Sequence, residues 1–146
     1  MTEEQVKLVK QSWRYFRNVD PVIVADLFYT KLFTDHPALR KMFPKDMKEQ
    51  YVKLIDMISI IVSRLDQLDL LTDEIAAMAR RHVEYGTRPA HYKMVGKALL
   101  WTLEKGHGNE WNQKLAEAWT TCYGLLAETM IHAAETPAAG NDNLKK

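Results

Sequence analysis

Apolar positions recur every three or four residues along nearly the whole chain, the period of helices that pack through one face. Thr2 followed by Gln5 makes a capping-box pattern, and Val6, Val9, Trp13 and Phe16 then line one face of a first helix. Asp20–Pro21 supplies an N-cap and a first-turn proline for a second helix reaching about Thr34. A short third helix is expected from Pro37 to about Met42. Pro44 breaks it, and Asp46 with Glu49 offers a second capping box. The helix that follows carries Met47, Tyr51, Leu54, Ile55, Ile58, Val62 and Leu65 on one stripe. Thr72 is placed to cap a helix running through Ile75, Met78, Ala79 and His82, with Gly86 as its stop. Pro89 opens another that ends near Gly106 and Gly108, and a last long helix is expected from about Asn109 to Ala134. Residues 136–146 have no apolar period and read as a disordered tail, which leaves 1–135 as one folded domain.

There is no strand alternation, internal repeat or interdomain linker. Helices of unequal length, the third very short, predict an all-α globule rather than a regular bundle of matched helices. The length, 146 residues, suits one domain, and a chain of this size buries about 68–70% of its unfolded surface, enough to enclose a small cofactor. A formal net charge of +1 and basic runs of only two residues (Arg80–Arg81, Lys145–Lys146) argue against nucleic acid or an anionic membrane as partner. The single cysteine, Cys122, sits among Trp119, Tyr123 and Leu126 and reads as a core thiol. No basic segment followed by an apolar run opens the chain, and no apolar stretch approaches a membrane span, so a cytoplasmic protein is expected.

His82 is the residue most open to chemistry. It falls on the apolar side of its helix, three and seven positions after Ala79 and Ile75. On that placement alone, a core histidine with a satisfied hydrogen bond and a metal ligand both stand. Its surroundings add a resemblance. The stretch from Arg80 to Leu100, RRHVEYGTRPAHYKMVGKALL, resembles the segment of single-domain bacterial, flavohaemoglobin-domain and neuroglobin-like globins that carries the iron-binding proximal histidine. His82, Tyr92 and the pair Val95–Gly96 fall in register with it. Phe43, following the His36-Pro-x-Leu39 opening, and Ala118–Trp119 with Tyr123–Gly124 match on either side, so that the resemblance spans roughly residues 3–134.

What the resemblance implies is specific. The fold would be the globin fold, a 3-on-3 helical sandwich with a short third helix and a long final one. The cofactor would be haem b (iron protoporphyrin IX), ligated by His82, whose second ring nitrogen would donate to the carbonyl of Met78. Phe43 would stack on the porphyrin, with Leu54, Met78, Tyr92 and Val95 among its other neighbours. Lys53 and Arg81 are candidates for the propionates, and equally readable as solvent-facing charges. On the opposite face Tyr29 and Gln50 would donate hydrogen bonds to bound gas, with Leu54 shaping the cavity; the competing readings are a half-buried tyrosine and a surface glutamine. The implied function is reversible binding of dioxygen and other small gases such as carbon monoxide and nitric oxide. One alternative is nitric oxide dioxygenation driven by an external reductase, since the chain has no G-x-G-x-x-G and no length for reductase modules. Another is a haem-free regulatory module of globin shape. The sequence also departs from flavohaemoglobins: where they place a glutamate behind the proximal histidine, this chain has Ala134, with Glu135 one step off.

Overall fold

The computed structural model describes residues 1–16 and 18–135, and the expected tail, 136–146, lies outside them. Six α-helices follow in order: α1 (Glu3–Phe16), α2 (Pro21–Asp35), α3 (Lys48–Ser63), α4 (Thr72–Glu84), α5 (Pro89–His107) and α6 (Gln113–Glu135). Three 3-10 segments punctuate them, at Pro37–Met42, Leu65–Leu71 and Gly108–Glu110. Local chemistry sets most of these limits. The Thr2–Gln5 box closes in both directions, at 2.9 and 3.0 Å. Asp20 Oδ1 accepts from the Val22 amide with Pro21 beside it, Pro89 opens α5, and Gly86 ends the α4 segment at φ +92°.

Four expectations shift. Asp46 does not cap α3 with Glu49 as partner; its carboxylate accepts from the Lys48 amide two residues on, and Met47 takes the N-cap position without a side-chain bond. Thr72 is the first residue of α4 rather than its cap, because the preceding Leu65–Leu71 segment already coils. Gly106 lies inside α5, packed against Phe16, and the helix stops at Gly108, with φ +57°. The final helix begins at Gln113, not Asn109: residues 108–110 form a 3-10 turn, and Asn112 caps the helix through the Leu115 amide at 2.9 Å.

The helices make two layers of three, the expected sandwich. α1, α3 and α4 form one layer; α2, α5 and α6 form the other, with α1 and α4 resting on α6 and α3 on α2. Within layers, α2 packs on α5, α5 on α6 and α1 on α3, but α4 packs extensively on neither α3 nor α5. The core is split accordingly. One cluster is built on Val9, Trp13, Phe28, Leu32, Leu103 and Trp119. A smaller one joins Leu71, Ile75 and Ala79 to Met130, with Leu126 and Ala134 at its edge. Ala134 therefore presents a methyl group to α4's cluster, and the Glu135 side chain lies outside the described residues.

Polar ties fix α1 within this packing. Trp13 Nε1–H donates to Ser59 Oγ on α3 at 2.9 Å, and Trp119 Nε1–H donates to Ser12 Oγ at 2.8 Å. Ser12 sits 2.8 Å from Nε2 of buried His107, whose Nδ1 lies 2.7 Å from the Leu103 carbonyl. A carbonyl only accepts, so Nδ1 carries the proton and Nε2 accepts from the serine hydroxyl. The chain of bonds is complete, and no buried side-chain polar atom among the described residues lacks a partner.

Gly96 is where α5 meets α6 most closely. A Cβ there would stand 2.8 Å from the Tyr123 ring, and that ring cannot easily yield, because its hydroxyl donates to the Tyr92 carbonyl at 2.8 Å. Gly96→Ala should destabilise the fold by about 1–3 kcal/mol, measured by chemical denaturation, with a smaller loss when Tyr123 is also replaced by leucine. Burial also pushes up the Cys122 thiol, from 9.0 to about 12, and the Tyr29 phenol, from 10.0 to about 12, and it raises Tyr92 and Tyr123 in the same direction. The folded protein keeps these protons where the unfolded chain releases them. This contribution to stability is whole below pH 9 and is lost as pH rises toward 12. The denaturant midpoint should fall across that window; a flat midpoint would contradict the burial of these groups.

Candidate functional site

The candidate site residues come chiefly from α4 and α3, two helices that make no extensive contact with each other, and from α2 and α5. Ile75 and Ala79, four residues apart and both buried, seat α4 on α6. His82 continues the stripe a turn further on and is only half-buried. Its Nδ1 lies 2.7 Å from the carbonyl of Met78, one turn back, so Nδ1–H donates and the ring plane is set by its own helix. This is the same local tie that His107 makes. The difference is at the other nitrogen: His107 Nε2 is taken by Ser12, whereas His82 Nε2 has no hydrogen-bond partner among the described residues. Among the described residues the only ring beside it is the exposed Tyr85, at 6.4 Å.

Across from α4, Gln50 lies in the first turn of α3 and is half-buried, with no side-chain hydrogen bond among the described residues. Leu54, one turn on, is half-buried at the edge of the larger core. Tyr29, on α2, is 6% exposed and enclosed by rings: Phe28 at 4.8 Å and Phe43 at 5.5 Å edge-on, Phe33 at 5.8 Å and Tyr51 at 5.6 Å nearly parallel. Among the described residues its hydroxyl makes no hydrogen bond and no sealed polar atom is orphaned, so that oxygen is not sealed off. With the phenol pushed up to about 12, chiefly by burial and in smaller part by neighbouring Tyr51, the oxygen stays protonated and is a donor.

Phe43 stands at the exit of the first 3-10 turn in extended conformation. Arg40 shapes that turn, its guanidinium donating to the carbonyls of Phe43 (3.3 Å), Pro44 (2.9 Å) and Lys45 (2.9 Å) while lying over the Phe33 ring. Tyr92 and Val95 on α5 are half-buried, Tyr92 against the smaller cluster and Val95 against the larger, so they bridge the two. Lys53 and Arg81 are exposed, and neither has an ion-pair partner among the described residues.

A flat apolar group with an electrophilic centre fits these residues. Phe43, Leu54 and Val95 pack half-buried on the larger cluster and Met78 and Tyr92 on the smaller. Nε2 of His82, without a hydrogen-bond partner among the described residues, can serve as a metal donor, and α2 carries the Tyr29 O–H. Among the described residues no three His, Cys, Asp or Glu side chains cluster as a metal site, so a metal here would depend on His82 plus a prosthetic group. Cavities of about 220 and 270 Å³ elsewhere, among α1, α2 and α3 around Trp13 and Ser59, are not lined by any of these residues. The sequence reading missed Arg40, Asp26 and the contact of Tyr51 with Tyr29; Tyr51 appeared there only as a core position, because its partner is on another helix.

A family model for globins matches residues 26–130. A flavohemoprotein of Vibrio cholerae is 28% identical over 134 residues, covering 90% of this chain and 34% of that protein. The chain thus spans about a third of that relative's length. An uncharacterised globin-like protein of Aquifex aeolicus is also 28% identical, over 131 residues, with 90% and 92% of the two chains covered. Among solved structures, an engineered carbene transferase derived from a Rhodothermus marinus protein provisionally assigned as a nitric oxide dioxygenase superposes with TM-score 0.82 at 22% identity, over 100% of this chain and 99% of that one. With two helical layers and a family match over most of its length, the chain belongs to the globin family.

Proposed function

We propose that this protein binds haem b through His82 and uses it to bind dioxygen reversibly, Tyr29 and Gln50 stabilising the gas. The observation that carries the reading is the open Nε2 of His82, held in orientation by the Met78 carbonyl on the helix that faces α3. A haem-free module would make His82 a satisfied core histidine, the condition of His107 and not of His82. Non-covalent haem b, rather than covalently attached haem, is supported by the lack of a C-x-x-C-H sequence and by Cys122, the one cysteine, being buried with its thiol protonated. Phe43, Leu54, Met78, Tyr92 and Val95 would give the macrocycle its apolar contacts. Lys53 and Arg81, without ion-pair partners among the described residues, would meet the propionates.

The haem would supply an iron atom that binds diatomic gases and lends dioxygen, but hardly carbon monoxide, negative charge. The chain's own residues then discriminate. Tyr29, a buried donor without a protein acceptor, meets that charge, and Gln50 adds a second donor from the start of α3. Hydrogen bonds to charged groups contribute about 1.5–3 kcal/mol, and about 1.4 kcal/mol is a factor of ten. Tyr29→Phe should therefore speed dioxygen release by about ten- to a hundred-fold and leave carbon monoxide release nearly unchanged, both read by stopped-flow ligand exchange. Equal acceleration of the two gases would contradict the donor role.

Nitric oxide dioxygenation is the second reading, favoured by the likeness to a flavohemoprotein and to the Rhodothermus protein. Each conversion of nitric oxide and dioxygen to nitrate consumes one electron. This chain covers 34% of that flavohemoprotein, and in this reading an external reductase would supply the electron. Sustained nitric oxide consumption on adding a reductase and its nicotinamide cofactor would establish that activity. A single stoichiometric turnover would leave reversible binding as the function.

A further inference from the structure

We propose that Tyr51 is a positioning residue for Tyr29, a strap from α3 anchored on α2 that holds the Tyr29 hydroxyl toward the bound gas. The inference rests on the donor role proposed for Tyr29. Asp26 and Tyr29 are three residues apart and so share a face of α2. Tyr51 on α3 spans both: its hydroxyl donates to Asp26 Oδ1 at 2.7 Å, and its ring lies 5.6 Å from the Tyr29 ring at an interplanar angle of 14°. The short bond to a carboxylate is charge-assisted.

Tyr29 needs such a neighbour. Its hydroxyl has no hydrogen bond among the described residues to fix its direction, so ring packing aims the O–H. Phe28 and Phe33 come from its own helix and Phe43 from the following turn; Tyr51 is the aromatic partner supplied by α3, the helix that also carries Gln50. Tyr51 is itself only half-buried. Without the bond to exposed Asp26 its side chain would have other rotamers open to it, and the Tyr29 ring would have room to turn. The Tyr51 hydroxyl is already committed to Asp26, which leaves Tyr29 as the donor and Tyr51 as its guide. The bond also ties α2 to α3 at the level of the site.

The test uses the haem-loaded protein and four variants: Tyr51→Phe, which keeps the ring and loses the anchor; Tyr51→Leu, which loses both; Asp26→Ala; and Asp26→Asn, whose amide oxygen still accepts from the phenol. Stopped-flow release of dioxygen and of carbon monoxide is measured for each, together with the infrared C–O stretching band of the carbon monoxide complex, which reports the direction of nearby O–H dipoles. Tyr51→Leu should release dioxygen roughly five- to twenty-fold faster, with Tyr51→Phe and Asp26→Ala intermediate. Carbon monoxide release should stay within about two-fold, and the C–O band should broaden or split. Asp26→Asn should behave like the native protein. Should Tyr51→Leu fail to fold, Tyr51→Phe and Asp26→Ala decide the matter. Native dioxygen release and a native band in the Tyr51 variants, alongside fast release in Tyr29→Phe, would overturn the strap and keep the donor. Parallel acceleration of both gases would make Tyr51 a packing residue only and also overturn it. Unchanged dioxygen release in Tyr29→Phe would remove the donor role and the strap with it.

Discussion

An imidazole ring has two nitrogens, and what occupies one decides what the other can do. In His82 the backbone settles the first: Nδ1–H is bonded to the Met78 carbonyl, which fixes tautomer and ring plane. The fold settles the second by leaving it alone. His107 shows what the same ring becomes when a serine hydroxyl reaches Nε2 and the surrounding rings close over it: a structural joint between α1, α5 and α6, with nothing left to offer. Two histidines with one local geometry thus differ at Nε2 because of where their helices pack.

That contrast follows from the layer arrangement. α4 packs mainly on α6, through Ile75 and Ala79, and makes no extensive contact with α3. Half-buried apolar side chains flank the two clusters of the core. An apolar cofactor bound against them would bury them further, so binding would stabilise the folded chain by mass action. On the far side, the aromatic group around Tyr29 keeps a protonated phenol among apolar rings, with charge confined to the rim at Asp26 and Arg40.

Features that depend on one helix were legible in the sequence. The Asp20–Pro21 start, the Pro89 start and the Gly86 stop each act within a few residues, and the His82–Met78 bond spans a single turn. The errors came where two local signals compete. Asp46 and Met47 contend for the start of α3, and Asn109 and Asn112 for the start of α6; in each case the turn before the helix, not the helix itself, decided the winner. The leucine-rich run Leu65–Leu71 coils as a 3-10 segment that no periodicity signalled. The contact of Tyr51 with Tyr29 and Asp26 was invisible for a different reason. It joins positions 25 residues apart in the chain, and side-chain spacing within α3 marked Tyr51 only as apolar.

The most direct measurement is resonance Raman of the ferrous, haem-loaded protein, read for the iron–histidine stretching band. The band should be present in the native chain, absent when His82 is replaced by glycine, and restored when free imidazole is added to that variant to fill the vacated position. Persistence of an iron–histidine band without the His82 side chain would show that a different residue holds the metal, and the arrangement built on the Met78 carbonyl would not be the site.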